Sequence, residues 1–468
     1  MSLFLVYLLI LVFPLDIWAV FTIGGRGVKL FWIVGLLLIF VFVVNVCLGR
    51  QRVKITLPGK AIIIFNIVAL LSIVKLITVS ASTLQWLDFL SEWLQLVLYT
   101  LLFFVITSLS WTRSHVITLL KLWVSVAVVL SLYGIYQIFA RFLDLPLAYL
   151  PFANPSLDGG LFTRSGPPIG AFYRISSVFI EPAYFAGYLL SPLLFVAILW
   201  MLRKEYENLS GQNKIALLGA LITLFVAFSF AFSMAVSAVL AGVIAVALFN
   251  KSLTIQITKC IAVAFLIIVA LSFALKPVFK DNFAVAVFER TRAHFVSPPE
   301  PEKTTQPASP YAKTSVGNRT KRARAGLEVW KRSPIIGVGL NNFSYYFPED
   351  VKGLIHNGVI QILAELGLLG LVAFGFVLGS VLLSIRKSLS RLSNFPEKVF
   401  IIAFYYILWA RVFHFFIALN WIRNTIWMDI SMAVLLLHWL HNQKGEANSK
   451  ISVPSHQISE TECQKCGE

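Results

Sequence analysis

The chain has 468 residues, of which 58% are hydrophobic and only 13% charged, and its mean hydropathy is +0.82. Soluble globular domains carry about a quarter charged residues, so these few cannot clothe a water-facing surface. The net charge of +17 flanks apolar runs or falls in two long connections, a distribution that disfavours a nucleic-acid partner.

Apolar runs of roughly 20 residues, the length that crosses a hydrocarbon core as a helix, recur along the sequence. The first, within MSLFLVYLLILVFPLDIWAVF, has neither the basic start nor the small-residue cleavage site of a signal peptide, and is expected to be a retained span. Spans are expected near 3–23, 30–48, 61–80, 93–110, 116–143, 183–201, 215–231, 233–250, 260–277, 356–385, 399–419 and 425–441. The run 215–250 is too long for one span and reads as a hairpin turning near Ser233. The fold class is all-α: a polytopic membrane protein of about twelve transmembrane helices with a large outer loop.

Short connections carrying Arg50, Arg52, Lys54 and Lys60; Arg113; Arg203, Lys204 and Lys214; Lys251; and Arg386, Lys387, Arg391 and Lys398 fall on one side. The opposing loop 81–92 holds only Asp88 and Glu92. Lys/Arg excess in short loops marks the cytoplasm, so both termini are expected there, in a multi-pass protein of the plasma membrane. The chain then divides into N-terminal membrane helices (1–277, with outer loop 144–182), a large outer loop (278–355), C-terminal membrane helices (356–441) and a polar, disordered cytoplasmic tail (442–468). Within the large loop, SPPEPEKTTQPASP reads as a linker between an interfacial helix at 279–295 and a helix at 315–332. Cys463 and Cys466 form a lone CxxC in the tail. Two ligands are half of what a structural zinc site needs, and no metal-ligand cluster, Walker motif or dinucleotide loop occurs.

The outer loop contains GNRTKRARAGLEVWKRSPIIGVGLNNF. Arg319, Arg322 and Trp330 share a helix face, with Gly326 leaving room between them. Arginines in this setting can hold phosphate oxygens in a bidentate fork, or bind anionic headgroups as any basic interfacial helix does. Pro334 then breaks the helix, and Gly337 and Gly339 in PIIGVG allow a tight course. His356-Asn357 opens the next span, with Gly367 eleven positions on and Gly370 beyond it. A straight helix would place Gly367 beneath His356, so the histidine reads either as a base above a slot for a lipid chain or as a cap over closely packed helices. Glu365 lies inside the span on the opposite face and reads as a structural acid. Arg411 and His414 are one turn apart and read as links between helices.

Taken together, Arg319 fifteen positions before P-x-x-G-x-G (334–339), then His356-Asn357, nine residues, Gly367, two residues and Gly370, resemble the C-terminal region of the O-antigen ligase and polymerase superfamily. Residues 315–380 carry the close match. In the first outer loop, YRISSVFIEPAYFAGYL places Arg174, Glu181, Pro182, Phe185 and Ala186 where family members carry an arginine and an Asn/Glu-Pro entry to a span. The Glu-Pro form resembles polymerases more than ligases, although Glu181 and Pro182 also suit the first turn of any helix. Relatives often carry Ser-Arg at the turn of the central hairpin. Here Met234 follows Ser233, and Arg174 or Arg164 would have to substitute.

The resemblance implies a membrane glycosyltransferase that moves glycan from a polyprenyl (undecaprenyl) diphosphate carrier to an acceptor hydroxyl on a glycan, lipid or protein at the outer membrane face. It implies an inverting, metal-independent reaction with no cofactor. Arg319, Arg322, Arg174 and Arg164 would hold the diphosphate, and His356 and Glu181 would be catalytic. Asn357, Gly337, Gly339, Gly367, Gly370 and Trp330 would be motif or structural residues. Polymerisation of a surface polysaccharide, O-antigen or exopolysaccharide, is the leading expectation, with a chain-length regulator among the partners. The alternatives are an O-antigen ligase acting in lipopolysaccharide assembly, a protein O-oligosaccharyltransferase, or, from another class, a flippase for lipid-linked glycan.

Overall fold

The computed structural model describes residues 1–15, 18–23, 26–150, 174–179, 181–202, 214–231, 310–348, 355–391, 397–417 and 424–451, with five single positions between 255 and 285. Local sequence sets the ends of its helices. Helix α1 (Ser2–Val12) runs into a single tight turn at Phe13–Leu15, because Pro14 has no N–H with which to continue a helix. Two short strands follow, β1 (Ala19–Ile23) and β2 (Arg26–Lys29), paired antiparallel. The expected span 3–23 is therefore corrected: it is a short helix followed by the first strand of a hairpin, where Val20, Thr22 and Ile23 favour extended backbone.

Helix α2 (Leu30–Cys47) leads to α3 (Leu57–Leu71), capped by the Thr56 side chain, which accepts from the Gly59 N–H. Helix α3 pauses at Ser72, and α4 (Ile73–Thr78) follows. A reciprocal Ser82–Gln85 capping box starts α5 (Thr83–Ser108), and Thr112 caps α6 (Arg113–Phe142). After these come α7 (Pro182–Met201), α8 (Lys214–Phe230), α9 (Pro310–Arg332), α10 (Gly358–Arg391), α11 (Lys398–Ile417) and α12 (Asn424–Ile451). Among the described residues, seven helices are long and apolar enough to cross a membrane. Apart from single positions, the expected spans 233–250 and 260–277 and the helix at 279–295 lie outside the described residues. Helix α12 continues past 441 to Ile451, so the start of the expected disordered tail is helical.

The two ends of the bundle differ in chemistry. At one end the Lys54 N–H donates to the Ser108 hydroxyl at 2.9 Å, and Arg113 pairs with Glu397 at 3.2 Å. At the other, the Tyr345 hydroxyl donates to Asp88 at 2.5 Å, and Asn342 Nδ2 donates to the Gln85 carbonyl at 3.3 Å. The basic short connections thus gather opposite the acidic loop 81–92, which receives the chain from the outer segment.

Deep between the helices, Arg411 joins three elements. Its Nε donates to Asp429 on α12 at 2.7 Å, Nη1 to the Gly187 carbonyl at 2.8 Å and Nη2 to Ser191 Oγ at 2.9 Å, both on α7. Ser191 in turn donates to the same Asp429 oxygen at 2.7 Å. The pair is almost wholly excluded from solvent, at 1% and 3% exposure. An ion pair so placed persists only when hydrogen bonds accompany it, and here all three guanidinium nitrogens and Asp429 Oδ2 are bonded. Arg411→Leu leaves Asp429 buried without its cation and is expected to cost about 3–5 kcal/mol, read as a lower unfolding midpoint in detergent. Arg411→Met with Asp429→Leu should recover most of that loss.

Candidate active site

The outer segment is anchored by a break in a helix. Helix α10 is interrupted at Gly367, whose φ of +66° and ψ of −163° are not helical. The break frees two carbonyls and two amides that a continuous helix would pair with one another. The turn after α9 takes up all four. Val338 N–H donates to the Ala364 carbonyl at 2.9 Å and Gly339 N–H to the Glu365 carbonyl at 3.0 Å. Leu368 N–H donates to the Pro334 carbonyl at 2.8 Å and Leu369 N–H to the Ile335 carbonyl at 3.1 Å. An interrupted membrane helix needs such partners, since orphaned backbone groups are costly away from water.

This pairing corrects the geometry expected for Gly367. There is no straight helix carrying it beneath His356, and the space beside its Cα holds the Ile335–Ile336 backbone, not a lipid slot. Gly337, with φ +69°, meets the Glu365–Leu366 peptide in the same way, and Gly339, with φ +106°, abuts Leu76. A Cβ at Gly370 would collide with Leu366, one turn back beside the break. Trp330 donates its indole N–H to the Pro334 carbonyl at 3.0 Å, tying α9 to the turn. The turn also grips the membrane helices, as Leu340 N–H donates to Ser72 Oγ at 3.3 Å. Ser72, at the pause between α3 and α4, was not singled out in the sequence.

The lock fixes α9 above the start of α10. A small apolar core of Val329, Val338, Phe343, Phe347, Ile355 and Ala364 joins them, and Gly326 meets Ile355 and Ile360 where the helices come closest. Asn357 caps α10: its Oδ1 accepts from Ile360 N–H at 3.0 Å, while its Nδ2 donates to the Phe416 carbonyl at the end of α11 at 2.6 Å. Asn357 therefore links α10 to α11 beside His356. Glu365, as its sequence position predicted, is a buried acid, and accepts from Gln361 Nε2 at 2.8 Å.

His356 lies in the fields of Arg319 and Arg322. Burial, then those two guanidinium groups, push its imidazole down to about 4. Burial also lowers Arg319 from its ordinary value, with Arg322 adding to the effect and Glu181 opposing it. Four expected residues, His356, Arg319, Arg322 and Glu181, thus meet at one place although 175 positions separate the first and last in sequence. Glu181 sits at the N-terminus of α7 without a side-chain capping bond, within electrostatic reach of Arg319. Farther along α9, Lys331 pairs with Glu328 at 2.7 Å and Arg332 lies 5.7 Å from the Tyr346 ring centre.

The segment before Glu181 is a buried, non-helical strap with a turn at Ser177, whose φ is +51°. Gln137 grips Ser177 twice: its Nε2 donates to the Ser177 carbonyl at 3.1 Å and its Oε1 accepts from the Ser177 N–H at 2.8 Å. Arg141 Nη1 donates to the Arg174 carbonyl at 2.7 Å. Arg174 is itself buried, at 7% exposure. Gln137 and Arg141 escaped sequence reading; their only signal was polarity one turn apart in an apolar helix. Arg164 and the Ser233-Met234 turn lie outside the described residues.

Two arginines, a glutamate and a histidine gathered at one end of apolar helices define a membrane protein with a cationic, anion-attracting cluster. Residues 185–375 match the family model described as O-antigen ligase, which supports the resemblance to the O-antigen ligase and polymerase superfamily. No curated protein matches the chain.

Gly367→Ala and Gly337→Ala force a side chain into backbone at a left-handed φ, and each is expected to abolish activity and lower the unfolding midpoint. Gly375→Ala, on the same helix with open space around it, should be neutral or stabilising by about 0.5–1 kcal/mol. Equal behaviour of all three in a thermal-shift assay would contradict the locked break.

Proposed function

We propose that this protein transfers glycan from a polyprenyl diphosphate carrier to an acceptor hydroxyl at the outer membrane face, as a surface-polysaccharide polymerase. The observation that carries the reading is the meeting of Arg319 and Arg322 with His356. Two guanidinium groups suit a diphosphate leaving group, whose developing charge they meet already oriented. His356 takes the proton from the acceptor hydroxyl as it attacks the anomeric carbon. The bond to the diphosphate breaks on the opposite face, so the anomeric configuration inverts. Arg174 and Arg164 are further candidates for the diphosphate, and Glu181 holds Arg319 in register.

The charge balance gives His356 a substrate-dependent role. In the free protein burial and then the arginines keep it neutral, yet a base titrating near 4 is a weak proton acceptor. A bound diphosphate offsets the guanidinium charges, raises the imidazole and makes it a stronger base where the acceptor arrives. The acid limb of kcat/KM, which reports the free enzyme, should therefore lie near pH 4. The acid limb of kcat should lie higher, towards the ordinary histidine range. Coincident limbs would contradict the coupling.

The polymerase reading follows the Glu181-Pro182 form, whose carboxylate lies within electrostatic reach of Arg319. The ligase reading is favoured by the description of the matching family model, with a lipid or protein acceptor in place of a growing glycan. A deletion strain complemented with wild type, His356→Ala or Arg319→Ala separates them by surface-glycan size. In a polymerase, each variant leaves single repeats exported and attached but not elongated. In a ligase, long chains accumulate on the carrier. Glycan trapped inside would point to a flippase, and full rescue by both variants would sink the mechanism.

A further inference from the structure

At the end of the bundle opposite His356, α3, α10 and α12 enclose a cavity of about 270 Å³. Its polar lining is Lys54, Thr56, Ser384, Ser388, His438, His441 and Asn442. None of the described residues lining it is acidic, so the lining presents one ammonium, two imidazoles, three hydroxyls and one carboxamide to whatever enters. His438 Nδ1 is engaged with the Thr107 carbonyl at 3.1 Å, which fixes that nitrogen as the protonated one when the ring is neutral. The ring is thereby oriented by a neighbour. Thr56 is likewise held by its bond from Gly59 at the start of α3, and the Lys54 backbone by Ser108. The cavity is open on one side, and Leu57, 47% exposed, stands at its rim.

We propose that this cavity binds a phosphate group carried by an anionic membrane lipid. The Lys54 ammonium, the Thr56 and Ser388 hydroxyls, the His441 ring and the Asn442 amide are groups that recognise phosphate oxygens, while Ser384 donates to the Ser380 carbonyl. It lies where basic connections gather at the end of the apolar helices, the position at which basic pockets between helices meet headgroups. The exposed leucine at the rim gives the lipid's glycerol and first methylenes an apolar surface, which a free anion would not use. The site is separate from the arginine–histidine cluster and independent of the proposed transfer.

The test is native mass spectrometry of the full chain in neutral detergent, titrated with dioleoyl phosphatidylglycerol or dioleoyl phosphatidylcholine. The wild type should hold phosphatidylglycerol more tightly. Lys54→Ala with His441→Ala should weaken it about tenfold, as loss of charge-assisted contacts does. Lys54→Arg, which keeps the charge, and Lys121→Ala, exposed and outside the cavity, should bind as wild type does, showing that the loss is local and not a folding defect. Inorganic phosphate that displaces the lipid from wild type, and binds the double variant less, would support the phosphate chemistry while assigning the cavity to the free anion. Unchanged binding in the double variant, or equal binding of the two lipids, would overturn the proposal.

Discussion

The break at Gly367 is the constraint on which the placement of α9 and the charged cluster depends. Opening a membrane helix strands two carbonyls and two amides, and the turn 334–339 supplies the four partners they need. The cost of leaving such groups unpaired is several kcal/mol each in hydrocarbon, so the turn and the break stabilise one another strongly. Because α9 leads directly into that turn, its position follows. Arg319 and Arg322 are carried over the start of α10, where His356 and Asn357 enter the membrane helix. Gly326 and the small core around Val329 and Ile355 complete the docking.

The same economy appears in the strap before α7. A buried non-helical segment would leave polar backbone in an apolar interior, and Gln137, Arg141 and Trp18 answer it with side-chain bonds to Ser177, Arg174 and Val178. The strap delivers Glu181 to the arginines at the head of α7. Arg411 and Asp429 then fix α7 to α11 and α12. Asn357 fixes α10 to the end of α11. The elements bearing the charged cluster are thus tied to one another by polar bonds and not by apolar packing alone, which suits a site whose charges must meet at a defined spacing.

Much of this was legible in the sequence, and the rest was hidden for identifiable reasons. Apolar runs marked the helices, and the order Arg319, P-x-x-G-x-G, His356-Asn357 marked the region of the site. The glycines were visible as requirements for unusual backbone, but spacing alone placed Gly367 on an unbroken helix. Its true partner, the Ile335 peptide, is contributed by another segment, and local periodicity carries no trace of such a contact. Asp429 was hidden by lying between apolar residues at the start of a span, and only its pairing with Arg411 gives it meaning. The N-terminal hairpin was missed because its β-branched residues are as apolar as a helix and Pro14 was outweighed by the surrounding hydropathy.

The account's central claim is that the outer helix brings its arginines to His356 to hold a diphosphate while the histidine moves a proton. The most direct measurement is equilibrium binding of polyprenyl diphosphate to the purified wild type, Arg319→Ala and His356→Ala proteins, alongside turnover. The account predicts that Arg319→Ala loses at least about tenfold in affinity, as removal of a charge-assisted contact does. His356→Ala should bind as well as wild type or better, because an uncharged base is removed, yet fail to turn over. Wild-type binding by Arg319→Ala, or equal loss of binding in both variants, would contradict it.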